Sequence, residues 1–346
     1  MESERILGQN HILRHFENAI RMGKISHAYI INGEEGSGKM NLAIHFAKAL
    51  QCERNNSNKA INEDGERITV PGTACGKCKS CKQTDSKNQP DIKYITYEKS
   101  GIVVDEIREQ INDDIDIKPY SSPYKIYIVP ESEKMTVQAQ NALLKTIEEP
   151  PEYAIIILLT TNADTFLQTI LSRCVMLNIR PVKEDIIKNQ LTSQYGVGDY
   201  EARVAATFSN GNPGKAIKLA TSEEFKELKQ YVVGMFMSLE KGGMDIIGEA
   251  IKKTGTFKKQ IDEYFSLMRI WFRDILVYKA TKEEDQIIFQ DEYMTIEKMS
   301  QTYSFDDIND ILKAIDLAES RIKSNVNFDS TIEILLLSIK EKTSGK

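Results

Sequence analysis

A glycine-rich loop constrains this 346-residue chain more than any other feature of its sequence. Residues 33–39 read Gly-Glu-Glu-Gly-Ser-Gly-Lys and match the pattern G-x-x-x-x-G-K. An apolar run at 28–32 precedes the loop, and helically spaced apolar residues follow it. A strand, a glycine loop and a helix in this order predict a phosphate-binding site, whose candidate residues are Gly33, Gly36, Ser37, Gly38 and Lys39.

Strand and helix patterns alternate through the first half of the chain. Further apolar strand patterns occur at residues 92–97, 125–129, 154–160 and 175–179, with helical patterns between them. This alternation predicts an α/β domain over residues 1–181, built on a parallel sheet with helices on both faces. Beyond residue 181 only helical patterns remain, so we predict a small helical domain at 182–221 and an all-helical domain at 222–346.

Two residues that hydrolysis of a nucleotide would need are absent. The residue after Lys39 is Met40, where a serine or threonine hydroxyl would hold Mg²⁺. The apolar strand 126–129 ends in Pro130-Glu131, so a proline replaces the acid that would also hold Mg²⁺. We therefore expect no ATP hydrolysis by this chain alone. Phosphate binding without hydrolysis and a loop retained only for its turn both stay open.

Four of the five cysteines lie in one segment, an insertion at about 52–90 between the first helix and the second strand. The candidate metal ligands are Cys52, Cys75, Cys78 and Cys81. Four thiolates are the number that a closed tetrahedral zinc site needs, and such a site would fold the insertion rather than catalyse. Zinc is favoured over an iron–sulfur cluster, because the spacing differs from the usual one, and over free or redox-active thiols.

The charge balance excludes a strongly basic polyanion-binding protein. The net charge is −6, and residues 221–346 hold 18 basic against 23 acidic side chains, which favours a protein-contacting surface there. Residues 71–100 are locally basic, with six lysines against three acids, which favours a solvated face over a nucleic-acid contact. No run approaches 18 apolar residues and the chain begins with mixed charge, so we expect a cytoplasmic protein.

Several motifs together give the chain a family resemblance. Besides the glycine loop these are Ile6-Leu7-Gly8-Gln9, Ile25-Ser26-His27-Ala28-Tyr29, Cys75-Gly76-Lys77-Cys78, the run Asn-Ala-Leu-Leu-Lys-Thr-Ile-Glu-Glu-Pro-Pro at 141–151, and Leu171-Ser172-Arg173-Cys174. In combination they resemble bacterial clamp-loader subunits of the AAA+ superfamily. The resemblance is dense over residues 1–220 and rests on helical character and length beyond them.

The resemblance implies a role for each part of the chain. Residues 1–181 would be a RecA-like AAA+ domain with a zinc-binding insertion, 182–221 a helical lid, and 222–346 a collar that holds five subunits in a ring. Arg173 would be an arginine finger supplied in trans to an adjacent ATPase subunit, and the four cysteines would hold Zn²⁺. The implied partners are gamma/tau and delta subunits, the sliding clamp and primed DNA.

The sequence is compatible with three functions. The first is a non-catalytic clamp-loader subunit, which fits the substitutions at Met40 and Pro130. The second is an ATPase motor of the gamma/tau type, which would have to tolerate both substitutions. The third is a zinc-containing DNA-binding module with a vestigial phosphate loop, which the net charge of −6 disfavours. Spacing alone leaves Arg173 either an arginine finger or part of a surface ion pair.

Overall fold

A computed structural model describes residues 6–56, 71–98, 101–241 and 245–344 of the chain. The chain divides into two compact units. The first comprises residues up to Ile187 together with Asn210–Lys215, and the second comprises Lys188–Ser209 and Ala216–Lys346. The predicted division into three domains stays a prediction.

A five-stranded parallel sheet forms the centre of the first unit, with strand order β2-β3-β4-β1-β5. Its strands are β1 (Ala28–Asn32), β2 (Ile92–Tyr94), β3 (Lys125–Val129), β4 (Ala154–Thr160) and β5 (Val175–Asn178). All side chains of β3 and β4 are buried, as expected for strands covered on both faces. The parallel sheet of the predicted α/β fold is confirmed.

Helices cover the two faces of this sheet. They are α1 (Asn10–Met22), α2 (Lys39–Leu50), α3 (Lys79–Asp85), α4 (Val104–Ile107), a π-helical turn (Arg108–Asn112), α5 (Asp113–Ile115), α6 (Val137–Glu148) and α7 (Gln168–Leu171). One apolar cluster joins α1 and α2 to the first face, with Phe16 stacked on Phe46 at 4.0 Å between ring centres. A second cluster, which includes Ile107, Leu143 and Ile170, covers the other face.

The second strand is shorter than its sequence pattern predicts, and a side chain explains the difference. The pattern extends to residue 97, but β2 ends at Tyr94. The Gln110 side chain forms hydrogen bonds with both the amide and the carbonyl of Thr96. Its Oε1 accepts from the amide at 3.0 Å, and its Nε2 donates to the carbonyl at 2.7 Å. The chain therefore leaves the sheet although Ile95 and Tyr97 continue the apolar pattern.

The second unit is helical, as predicted. The helices that follow the sheet are α8 (Glu184–Tyr195), α9 (Asp199–Phe208), α10 (Pro213–Thr221), α11 (Glu223–Lys241), α12 (Asp245–Thr256), α13 (Ile261–Thr281), α14 (Tyr293–Thr302), α15 (Phe305–Lys323) and α16 (Phe328–Ser344). The fully buried Trp271 of α13 stacks on Phe236 of α11, with 5.7 Å between ring centres. In the same unit Phe208 of α9 contacts the rings of Phe225 and Phe289.

Candidate functional site: a phosphate loop, a cysteine cluster and Arg173

The glycine loop has the backbone geometry that its sequence predicts. It joins β1 to α2, which begins at Lys39, and its Gly33 amide donates to Thr160 O at 3.1 Å. Gly36 and Gly38 have φ angles of 78° and 92°, in the left-handed region where other residues are strained. Ser37 Oγ is buried and has no hydrogen-bond partner among the described residues.

The Lys39 ammonium is turned back onto the loop. Its Nζ donates to Gly33 O at 2.6 Å and to Glu34 O at 2.8 Å. Burial lowers the pKa of Lys39, while the nearby carboxylates of Glu133, Glu35, Glu131 and Glu34 act in the opposite direction. The ammonium group that would contact a terminal phosphate is therefore hydrogen-bonded to carbonyl oxygens of the loop itself.

A second segment of the first unit, residues 210–215, is distant from the loop in sequence but hydrogen-bonded to it. The Gly214 amide donates to Gly36 O at 3.1 Å, and Asn212 Nδ2 donates to Glu35 O at 2.7 Å. A Cβ atom added to Gly214 would lie 2.4 Å from Gly36 O, so only glycine permits this approach. The sequence does not predict this contact, because the two segments are far apart in the chain.

A cavity of about 620 Å³ lies beside the loop, where phosphates and Mg²⁺ would be expected. Met40 and Pro130 both line it, and Met40 is also packed against the core of the sheet. Three carboxylate residues share the lining, Glu35, Glu131 and Glu133. A thioether and a proline offer no oxygen ligand from their side chains to a hard cation, and the carboxylates repel polyphosphate.

Glu131 and Glu133 are engaged within the chain. Tyr97 Oη donates to the Glu131 carboxylate, Lys134 Nζ lies 2.9 Å from Glu131 Oε1, and the two contacts in this order lower the pKa of Glu131. Burial would raise the pKa of Glu133, but its own backbone amide and Thr161 donate hydrogen bonds that lower it overall. Thr161 donates to Glu133 from its amide at 3.2 Å and from Oγ1 at 2.8 Å.

The four predicted cysteines come together in the insertion. Their Sγ atoms all lie within 4.8 Å of one another, and Cys75 Sγ is 3.9 Å from Cys81 Sγ. A tetrahedral zinc with bonds of about 2.3 Å places its sulfurs about 3.8 Å apart, so the cluster fits such an ion with small adjustments. The structure thus brings Cys52 to the other three across a gap in sequence that includes residues 57–70, which lie outside the described residues.

Backbone amides surround the cysteine sulfurs. The amides of Lys77 and Cys78 donate to Cys75 Sγ at 3.5 and 3.4 Å, and they lower the pKa of the Cys75 thiol to about 6. Burial raises the pKa of the Cys52 thiol. Cys78 precedes α3 and accepts from the Cys81 amide, so the helix itself fixes two of the four sulfurs. Such a donor set could bind a metal ion.

Arg173 lies at the end of α7 and keeps much of its side chain in solvent. Its guanidinium donates to Thr169 O at 3.0 Å, and it lies 3.0 Å from Glu148 Oε1. The side chains of Arg173 and Glu148 are 40% and 45% exposed. The surface ion pair considered from the sequence is therefore present. The neighbouring Cys174 packs against the core, and its burial raises the pKa of its thiol to about 12.

None of the helices among the described residues combines the length and the apolar character that crossing a bilayer requires.

Comparisons with known proteins cover both units. Residues 8–183 match the family described as "DNA polymerase III, delta subunit", and residues 248–341 match "DNA polymerase III, delta subunit, C terminal". The chain is 26% identical over 337 residues to the DNA polymerase III subunit delta' of Bacillus subtilis, covering 96% of each protein. It is 33% identical over 221 residues to subunit tau of the same organism, covering 62% of this chain and 36% of tau.

Among solved structures, a DNA polymerase III gamma subunit-related protein of Thermotoga maritima has 20% identity and a TM-score of 0.40, covering 96% of this chain and 99% of that one. The first family match spans more than half of the chain. Taken with the full-length similarity to a delta' subunit, it shows that this chain belongs to the DNA polymerase III delta subunit family of clamp-loader proteins.

Proposed function

We propose that this chain is a delta'-type stator subunit of a clamp loader: it does not hydrolyse ATP and supplies Arg173 to the ATP site of a neighbouring subunit. The observation that carries this proposal is the state of the phosphate loop. Lys39 is bonded to the loop's own carbonyls, while Met40 and Pro130 occupy the two positions that would hold Mg²⁺.

Phosphoryl transfer depends on charge stabilisation, and the cavity beside the loop is poorly suited to it. Mg²⁺ and the loop lysine normally neutralise the charge that develops on the transferred phosphate. Here the magnesium ligands are absent, and Glu131, the acid that would position a water, is bonded to Tyr97 and Lys134. Nucleotide binding without turnover is compatible with this proposal, since Ser37 Oγ is still unpartnered within the described chain.

The surroundings of Arg173 support a role outside its own subunit. Its ion pair with Glu148 is exposed on both sides, and exposed ion pairs contribute only about 0–1 kcal/mol. A phosphate group offered by a neighbour would compete easily for the guanidinium, which binds phosphate oxygens with two parallel hydrogen bonds. The finger would act in trans, because the phosphate loop of this chain lacks the groups for hydrolysis.

The remaining parts of the chain follow from the same proposal. Residues 1–181 act as the AAA+ domain, 182–221 as the lid, and 222–346 as the collar of a heteropentamer with gamma/tau and delta subunits. The complex loads the sliding clamp onto primed DNA in the cytoplasm. Cys52, Cys75, Cys78 and Cys81 would hold a structural Zn²⁺, which closes the insertion and leaves no coordination position for catalysis.

A motor of the gamma/tau type is the second candidate, and the 33% identity to a tau subunit favours it. The two candidates differ in ATP turnover by the purified chain with Mg²⁺, measured beside its Lys39→Ala variant. We expect no turnover above that of the variant. Turnover that disappears in Lys39→Ala would assign the chain to the motor class and overturn the stator proposal.

Arg173 is tested in the assembled complex. Arg173→Ala should leave assembly intact and lower ATP turnover of the complex by the share that the neighbouring site contributes, since removing an arginine finger costs roughly 10³-fold at its site. Arg173→Lys should restore little, because the ammonium lacks the fork of the guanidinium. The control is Glu148→Gln, which breaks the same ion pair but leaves the guanidinium. An unchanged rate in Arg173→Ala would eliminate the finger.

A further inference from the structure

The cysteine insertion carries a set of lysines that have no assigned role. We define the lysine face as Lys77, Lys79, Lys82 and Lys87, which lie before, on and after α3. All four residues are exposed, and none forms an ion pair with another described residue. Four ammonium groups with no ion-pair partner among the described residues, all on one short segment, create a local positive potential despite the net charge of −6.

The geometry of α3 directs these lysines away from the cysteine cluster. Ser80, Cys81 and Thr84 are the buried residues of α3, and Cys81 belongs to the cysteine cluster. Lys79 and Lys82 are three positions apart and occupy the opposite, solvent-facing side of the helix. The cluster thus fixes the helix whose outer side presents the lysine face.

The acids that balance this segment in the sequence do not balance it in the structure. Lys48 of α2 lies 2.5 and 2.7 Å from the two carboxylate oxygens of Asp85, so the charge of Asp85 is neutralised from within the domain. Asp91 is buried and accepts the amides of Tyr120 and Ser121 at 2.5 and 2.9 Å. Asp85 and Asp91 are thus engaged within the chain, and neither carboxylate pairs with a residue of the lysine face.

An exposed aromatic residue lies on a loop attached to the same insertion. Tyr120 is 87% exposed, the most exposed of the large apolar side chains in the described chain. Its loop is fixed by Asp91 and by Gln89, whose Nε2 donates to Ser80 of α3 at 2.8 Å and to Ser122 at 2.9 Å. These hydrogen bonds order the loop and hold Tyr120 beside α3, so a ligand that binds there would not have to order the loop. Because the ring is exposed, it does not stabilise the fold through burial.

We infer that the lysine face and Tyr120 form a binding surface for single-stranded DNA. The lysines neutralise successive phosphates, and the Tyr120 ring stacks on a base, which is the combination that sequence-independent single-strand binding uses. The ring favours a single strand over a duplex, because bases within a duplex are already stacked. This surface does not depend on Arg173 or on the phosphate loop, so it can hold or fail independently of the proposed function.

The test is a titration of the purified full-length chain against a fluorescently labelled oligothymidylate of roughly 20 nucleotides, between about 50 and 200 mM salt. Replacing all four residues of the lysine face by glutamine should weaken binding and reduce the slope of log K against log salt by about 3, at about 0.7 per phosphate contact. Tyr120→Ala should weaken binding about tenfold with little change in slope, and Tyr120→Phe should retain the wild-type affinity.

A matched control removes the same charge elsewhere. Glutamine at the exposed residues Lys183, Lys218, Lys252 and Lys259 also changes the net charge by four, and it should leave affinity and slope near those of the wild type. An equal loss in this control would reduce the effect to net charge and overturn the proposal. No binding of the wild-type chain at low salt, or tighter binding to a duplex of equal length, would also overturn it.

Discussion

Glu131, beside the phosphate loop, combines an unfavourable backbone conformation with a side chain that is hydrogen-bonded within the chain. It follows Pro130 and has a φ angle of 46°, in the left-handed region that costs a non-glycine residue roughly 1 kcal/mol or more. Hydrogen bonds from Tyr97 and Lys134 hold its carboxylate in that position. The side chain that could position a water is thus committed to a structural contact.

This contact gives a prediction at the residue scale. If the chain is the non-hydrolysing subunit proposed above, Glu131→Gln in the assembled clamp loader should leave ATP turnover unchanged, because this carboxylate then activates no water. The measurement is steady-state phosphate release with saturating primed DNA and clamp. A fall of a hundredfold or more at any site, the effect expected for a lost general base, would contradict the assignment.

Sequence reasoning predicted candidate residues for the phosphate site but not their contacts. Met40 and Pro130 were recognisable because each breaks a short motif whose chemistry is known residue by residue. The bonds from Lys39 to Gly33 and Glu34, and those from Asn212 and Gly214 to the loop, depend on the tertiary fold. No spacing in the sequence brings residues 36 and 214 together.

At the scale of elements, local sequence patterns predict several of the observed strands and the helical character of the second unit. Apolar runs located β3 and β4 at their observed bounds. The stretch 104–115, by contrast, is divided by a π-helical turn, and β2 is cut short by Gln110. Both departures come from side-chain contacts that periodicity does not record.

The cysteine cluster gives a prediction for the insertion. Cys78→Ser combined with Cys81→Ser should remove about one zinc per chain, because two ligands cannot hold the ion. Zinc released by a thiol reagent and quantified by a chromogenic chelator measures this. Cys174→Ser, outside the cluster, should keep the zinc. Wild-type protein purified without metal would contradict a structural zinc, and iron in its place would identify a cluster of another kind.

The start of α15 gives a prediction for the second unit. Ser304 Oγ accepts from the Asp307 amide at 3.1 Å, and the Asp307 carboxylate accepts from the Ser304 amide at 3.0 Å. Asp307→Ala should cost about 1 kcal/mol in the free energy of unfolding, as for a lost helix cap. Urea unfolding followed by circular dichroism measures it. Asp306→Ala, an exposed neighbour in the same turn, is the control and should cost less.

The same cap predicts a pH dependence. Hydrogen bonds from the Ser304 side chain and backbone lower the pKa of Asp307 below its ordinary value of about 4. A lowered folded pKa stabilises the native state above the unfolded value, and this contribution is lost as the pH falls through the folded pKa. The stability difference between wild type and Asp307→Ala should therefore be constant near neutral pH and shrink below pH of about 4. A difference that grows on acidification would contradict the cap.

For the whole molecule, the two compact units do not follow the domain boundaries predicted from the sequence. The segment 182–221, predicted as one small domain, contributes residues to both compact units. Within the second unit, Arg203 of α9 donates to the carbonyls of Asp285 and Ile287 at 2.6 and 2.9 Å. Composition and helical pattern cannot reveal such long-range pairing.

This path predicts how fragments behave. A fragment of residues 182–346 should unfold cooperatively, because it retains the contacts of Phe208 with Phe225 and Phe289. A fragment of residues 222–346 lacks α9 and should expose the rings of Phe225 and Phe289, bind a hydrophobic dye and melt at a lower temperature. Thermal unfolding by circular dichroism compares the two. Equal melting temperatures would show that residues 222–346 fold independently of α9.

One helix, α2, connects the two sites of the first unit. It begins at Lys39 in the phosphate loop and ends at Leu50, two residues before Cys52, a span of about 18 Å. Selection on α2 therefore acts at both ends of the helix, on the phosphate loop at one end and on the cysteine cluster at the other. Loss of ATP chemistry would release the position after Lys39 to drift, and methionine there packs against the core. The left-handed glycines at 36 and 38 would stay under purifying selection, because they start the helix that places the cysteine cluster.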